Sequence, residues 1–272
     1  MNGLNQKRHL LVVLLVGLGM LVFLSTRPKT VVKKEVQTVQ SQKTDQHTSS
    51  DNQPHILSSE NTKVLNGLKA ELGKSPDNKK ILSQIAQLFL SESVFDSAGV
   101  YFEKIAENNG TAKDWTFAGD AYFQAYNIAL TQQKLEKFSE KARECYQKVL
   151  AGDPQNLHVK TNYAMTFVKS DSPMKAIKML REVLDQQPDY VPAMMSLGGL
   201  SMESGQFDKA IQRFENVLKV DTKNINAQLG IAYSLIELGK APEAKNILNK
   251  VLREDIDPIM KDEITKTLNS LK

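Results

Sequence analysis

A step of 34 residues recurs along the second half of the chain and limits what it can fold into more than any other feature. Ala176, Ala210 and Ala244 stand at this step, as do Leu180, Phe214 and Leu248, and likewise Val183, Val217 and Val251. Pro154 and Pro188 are also 34 apart, each preceded by a polar turn, Gly152-Asp153 and Gln186-Gln187. Several position classes sharing one period mean that one structural unit is copied along the chain. Within each copy the apolar residues recur at helical spacing, and strand formers never alternate over a useful length. Glycine and proline are sparse, 14 and 9 of 272 residues, and 41% of residues are hydrophobic. An all-α protein with a packed core follows.

The copied residues resemble the tetratricopeptide repeat, whose unit is two antiparallel helices carrying Trp-x2-Leu-Gly-x2-Tyr in the first and Ala, Phe, Ala and a closing Pro around the second. The copy from Val191 carries Leu197-Gly198, Ala210, Phe214 and Val217, with Thr222 in place of the closing proline. The copy from Leu157 carries Tyr163-Ala164, Phe167, Ala176, Leu180, Val183 and Pro188; the copy from Ile225 carries Ile231-Ala232, Leu235, Ala244, Leu248 and Val251. Earlier copies start at Lys79 (Ile85-Ala86, Phe89, Ala98, Phe102, Ile105) and near Ala112 (Trp115, Ala118-Gly119, Tyr122, then Ala142, Tyr146, Val149, Pro154). The resemblance implies a right-handed solenoid. Its units run over 79–111, 112–156, 157–190, 191–224 and 225–258, with capping helices over 60–78 and 259–272. The second unit departs from the pattern, with about 11 extra residues, Asn127 to Lys137, expected to lengthen both of its helices. Gly119 and Gly198 are expected where the helices of a hairpin come closest.

A different pattern precedes the repeats. Leu10 to Leu24 is an unbroken apolar run behind Lys7 and Arg8. With His9, Ser25 and Thr26 it gives about 18 residues, roughly 27 Å of helix, the short end for a bilayer span. The expectation is a short tail over 1–8, a transmembrane anchor over 9–26 and a flexible linker over 27–59 with a reach of roughly 30 Å. A cleaved signal peptide shares the charged start and apolar run, but cuts after Ser25 or Thr26 put Phe23 or Leu24 where a small residue belongs. The array is expected outside the cytoplasm, on the periplasmic side of a bacterial inner membrane. A cytoplasmic array, or a cleaved and secreted chain, stays open because Arg27, Lys29, Lys33 and Lys34 follow the run.

Charge narrows the partners. The net charge is +4, yet seven basic and four acidic residues fall in 1–60, leaving 28 basic and 27 acidic residues beyond. No basic stripe suggests nucleic acid. The single cysteine, Cys145, rules out an intramolecular disulfide and reads as a small buried hydrophobe. No phosphate loop, His-Glu-x-x-His motif or nucleophile–base set is present, and of the four histidines only His158 lies in the repeats. An enzyme, a cofactor and a small-molecule substrate are therefore not expected.

What remains is protein binding. The resemblance implies that first-helix residues facing away from the second helix line a concave groove. They are Gln84, Gln87, Phe117, Asp120, Phe123, Asn162, Met165, Met195, Met202, Leu229, Tyr233 and Ile236, with Gly199 and Gly230 leaving room between them. Such a groove suits a protein or peptide partner with apolar anchors. The Lys/Asn clamp by which some relatives hold a C-terminal carboxylate is absent, since its positions carry Ser83, Gln87, Phe117, His158 and Asn162. Two readings stand: a membrane-anchored interaction scaffold, or a membrane-tethered chaperone or assembly factor for unfolded clients, similar to repeat proteins of cytochrome c assembly or the secretion channel.

Overall fold

A computed structural model of the chain describes residues 57–271 apart from Asn109 and Asp171. The expected tail, the anchor over 9–26 and nearly all of the linker lie outside the described residues. Among the described residues, no helix is long and apolar enough to cross a membrane.

Those residues form twelve α-helices and no strand. A leading helix, α1 (Ser59–Lys74), is followed by five antiparallel pairs. They are α2 (Lys79–Ser91) with α3 (Phe95–Glu107), and α4 (Ala112–Asn127) with α5 (Gln132–Gly152). Next come α6 (Leu157–Met165) with α7 (Pro173–Gln186), α8 (Val191–Glu203) with α9 (Phe207–Val220), and α10 (Ile225–Glu237) with α11 (Ala241–Val251). A closing helix, α12 (Pro258–Ser270), packs on α11.

Local chemistry sets where these helices begin and turn. The first helices α2, α6 and α10 start behind Asn78, Asn156 and Asn224, whose side chains accept from backbone N–H groups of the first turn. Thr111 and Asp114 close a reciprocal capping box on α4. The turn inside a pair also repeats. Ser93, Gly205 and Gly239 hold φ of 59°, 71° and 75° at the same place in their repeats. In each, the next N–H donates five residues back, Val94 to Phe89, Gln206 to Ser201 and Lys240 to Leu235. That is a left-handed helix stop, which glycine enters without strain and serine does not.

The core is built from rings laid on glycines. A Cβ on Gly198 would lie 2.4 Å from the Phe214 ring, and one on Gly230 would lie 2.5 Å from its other edge. Phe214 thus ties α9 both to its own partner α8 and to the next repeat. The space expected to stay open at Gly230 is filled by this ring. Tyr146 lies the same way on Gly119, and Tyr122 on Gly99. The hydroxyl of Tyr122 donates to Glu103 (2.6 Å), which also accepts from Lys141 (3.0 Å), so α3, α4 and α5 are pinned together.

Two repeats depart from the rest. In the second, α4 has 16 residues and α5 has 21, against 13 in α2 and 13 in α3. The extra length therefore falls in both helices, with a non-helical turn at Ile128–Thr131 between them. In the third, α6 stops after nine residues. Hydroxyls of Thr166 and Ser170 there donate to the carbonyls of Tyr163 and Phe167, three residues back, and favour a run of turns over continued helix.

Two outcomes test this packing. Gly198→Leu forces a branched side chain into the Phe214 ring and should cost about 3 kcal/mol, read as a lowered thermal midpoint. An unchanged midpoint would show the helices do not cross there. Ser93→Gly relieves a left-handed residue and should stabilise the chain by about 1 kcal/mol in urea unfolding.

Candidate functional site: the concave face

First helices of successive repeats lie directly against one another, α4 with α6, α6 with α8 and α8 with α10. The array therefore has its inner radius on their side. Lys79 of α2 reaches Asp114 of α4 at 2.7 Å and extends this line of contact to the first repeat.

The expected groove residues do not form one apolar strip. Phe123, Met202, Leu229 and Tyr233 are buried, packed in the core between repeats. Close approach of neighbouring helices hides them, and for Tyr233, on the last first helix, the closing helix α12 brings Thr267 and Glu263 beside the phenol. Gln84, Gln87 and Phe117 are exposed, and Asp120, Asn162, Met165, Met195 and Ile236 are half-buried. Phe117 leans on Phe102, ring centroids 5.5 Å apart, and keeps one face to water.

The structure gathers a polar hub where α4 meets α6. Asp120 accepts from the hydroxyl of buried Tyr146 at 2.8 Å and from the Asn162 amide at 3.0 Å. His158 Nε2 lies 2.9 Å from its other oxygen. Tyr146 comes from the second helix α5, so the hub joins three helices of two repeats. Burial pushes the Tyr146 hydroxyl well above its ordinary pKa, and Asp120 adds to the shift. That phenol stays a donor and holds the carboxylate in place. The hydrogen bond to Asp120 raises the His158 pKa against the opposing effect of desolvation.

Two further charged groups influence each other where α6 and α8 end. Glu203, at the end of α8, is exposed to water but walled by protein, and desolvation raises its pKa while Lys169 opposes the rise. Lys169 follows α6 and stands 5.5 Å over the Tyr126 ring. His158, Tyr146, Glu203 and Lys169 were absent from the sequence-based set. His158 sits one turn before Asn162 on α6, and only the stagger of α4 against α6 brings both to Asp120. Among the described residues, no group of three His, Cys, Asp or Glu side chains could hold a metal ion. Cys145 is fully buried, its thiol pushed up to about 12 by burial first and by Glu103 next, so it is neither a thiolate nor accessible.

Helix pairs, ring-on-glycine packing and a first-helix inner face define an all-α helical-repeat solenoid of tetratricopeptide type. Residues 201–261 match the sequence model of the tetratricopeptide repeat family. A tetratricopeptide repeat protein from Parabacteroides merdae superimposes with a TM-score of 0.56 at 15% identity, over 78% of this chain and 82% of that one. The thermophilic TPR protein TTC0263 from Thermus thermophilus gives 0.54 at 16% identity, over 71% and 98%. These likenesses establish the fold. Among curated proteins, the chain is similar to the TPR repeat-containing protein YpiA of Bacillus subtilis, 21% identical over 185 residues, and to the Protein CTR9 homolog of Arabidopsis thaliana, 25% identical over 191. It spans 40% and 16% of their lengths.

The hub has a testable electrostatic consequence. Asp120 lifts the folded-state pKa of His158 above the unfolded value of about 6.5. The stabilisation is therefore complete below that value and is lost as pH rises through the folded pKa. A ring-proton NMR titration of His158 should give a midpoint above 6.5 that drops in Asp120→Asn; equal midpoints would show that Asp120 is not the cause.

Proposed function

We propose that this chain is a non-catalytic, membrane-anchored scaffold whose concave face holds a peptide or protein partner. The observation that carries the reading is the hub of half-buried Asp120 and Asn162 with exposed His158 on the inner face, with Phe117 and Met165 on the same two helices. Fixed polar groups beside apolar side chains give a bound segment both register and contact area. The apolar run Leu10 to Leu24 supports the anchor. An unfolded-client chaperone needs a broad open apolar surface. Burial of Phe123, Met202, Leu229 and Tyr233 removes four side chains from such a surface, so one defined partner is favoured.

The test is capture by crosslinking from intact membranes, comparing the natural chain with the double variant Asn162→Arg, Met195→Arg. Both sites are half-buried at the inner face, so helicity by circular dichroism should remain native. Capture should fall at least about tenfold, as expected when two central contacts are replaced by cations. Undiminished capture by a folded variant would remove the concave face as the binding site.

A further inference from the structure

The turn joining α4 to α5 is the most exposed apolar feature among the described residues. Leu130 is 96% exposed and Ile128 45%. Neither packs the core, and both stand on a projection. Ten residues of α5 precede Ala142, where only three residues of α3 precede the equivalent Ala98. Seven further helical residues amount to roughly 10 Å of height. On the other arm α4 runs eight residues past Gly119 against five past Ala86 in α2, a gain of roughly 5 Å, so the tip stands above the turns beside it.

Its place in the fold suggests what covers it. Helices alternate in direction, so every turn within a pair lies along one edge of the array and every turn between pairs along the other. The start of α1 lies on the tip's edge, since Ser58 donates to Glu92 at 3.4 Å and Asn61 also donates to that carboxylate of the α2–α3 turn. The described chain thus begins on the edge that bears the tip, directly after residues 1–56. Those residues contain the apolar run Leu10 to Leu24. Lys134 and Lys137 beside the tip and Lys175 at the α6–α7 turn are exposed, with Glu136 as the acid beside the tip and Glu92 at the neighbouring α2–α3 turn. Lysines flanking an apolar tip can meet anionic headgroups while the apolar side chains dip into the interface to a depth of about 5–10 Å.

We propose that Ile128 and Leu130 insert into the surface of the same bilayer that the N-terminal run enters, giving the array a second membrane contact. This rests on the anchor reading above. A single attachment leaves the array free to rotate, whereas two contacts on one edge orient it. The turns between pairs then face away from the lipid. Two weak attachments on one molecule also reinforce each other through effective concentration.

The experiment uses the full chain in vesicles of phosphatidylethanolamine and phosphatidylglycerol. Cys145 is buried, so Leu130→Cys can be labelled selectively with an environment-sensitive fluorophore, and Ile259→Cys, 61% exposed on the opposite edge, is the control. The dye at 130 should shift to the blue and lose intensity to spin-labelled lipid, while the dye at 259 reads water. Co-flotation with vesicles and a water-like dye at 130 would overturn the inserted tip and leave the anchor standing. A blue shift without lipid quenching would overturn it in favour of a protein, including a second copy, covering the tip. Failure of the chain to float with vesicles would overturn the anchor reading and this inference with it.

Discussion

The structure depends on the close crossing of helices at glycine, with an aromatic ring filling the space a Cβ would occupy. Phe214 illustrates the economy of this contact. One ring meets Gly198 within its repeat and Gly230 in the next, so a single side chain fixes both the hairpin and the stacking step. Interiors pack at crystal-like density, and a contact with no spare volume admits one arrangement of the two helices. Tyr146 on Gly119 and Tyr122 on Gly99 extend the device into the earlier repeats.

Close stacking also shapes the inner face. When first helices touch, the large side chains between them are enclosed, which is why Met202 and Leu229 belong to the core, and the closing helix does the same for Tyr233. What stays accessible is a narrower and more polar lining. Asp120 could not remain half-buried as an unpaired carboxylate, and Tyr146, His158 and Asn162 satisfy it from two repeats. The hub is thus part of the stacking and part of the lining. A partner lying there would meet groups that are already held in position.

The second and third repeats interrupt this regularity in opposite senses. Longer α4 and α5 raise a tip above the edge, while α6 ends early in turns held by threonine and serine hydroxyls. The core follows suit. One group of buried side chains runs from α1 to the start of α6, a small one around Ala164, Leu180 and Leu197 bridges the third repeat, and another fills the C-terminal repeats. Regular repeats give a uniform surface, so the features that distinguish this chain are concentrated where the repeat is broken.

The sequence by itself determined the helical pairs and their spacing. Period, small residues at crossings and polar caps are local signals, and each repeat states them again. The small size of Gly198 was legible in this way, as was the added length around Asn127 to Lys137. Which inward-facing residues would be open was not legible. Exposure of Phe123, Met202, Leu229 and Tyr233 depends on how near the neighbouring helix lies, and that distance is set by side chains outside their own helical pair. The same holds for His158. It carries no motif, and its partner Asp120 is 38 positions earlier, joined to it only by the stagger between α4 and α6. Periodicity fixes what each repeat is, because helix formation answers to neighbouring residues. The tertiary stacking alone decided which groups meet across repeats, because those contacts depend on a rotation between units that no local pattern encodes.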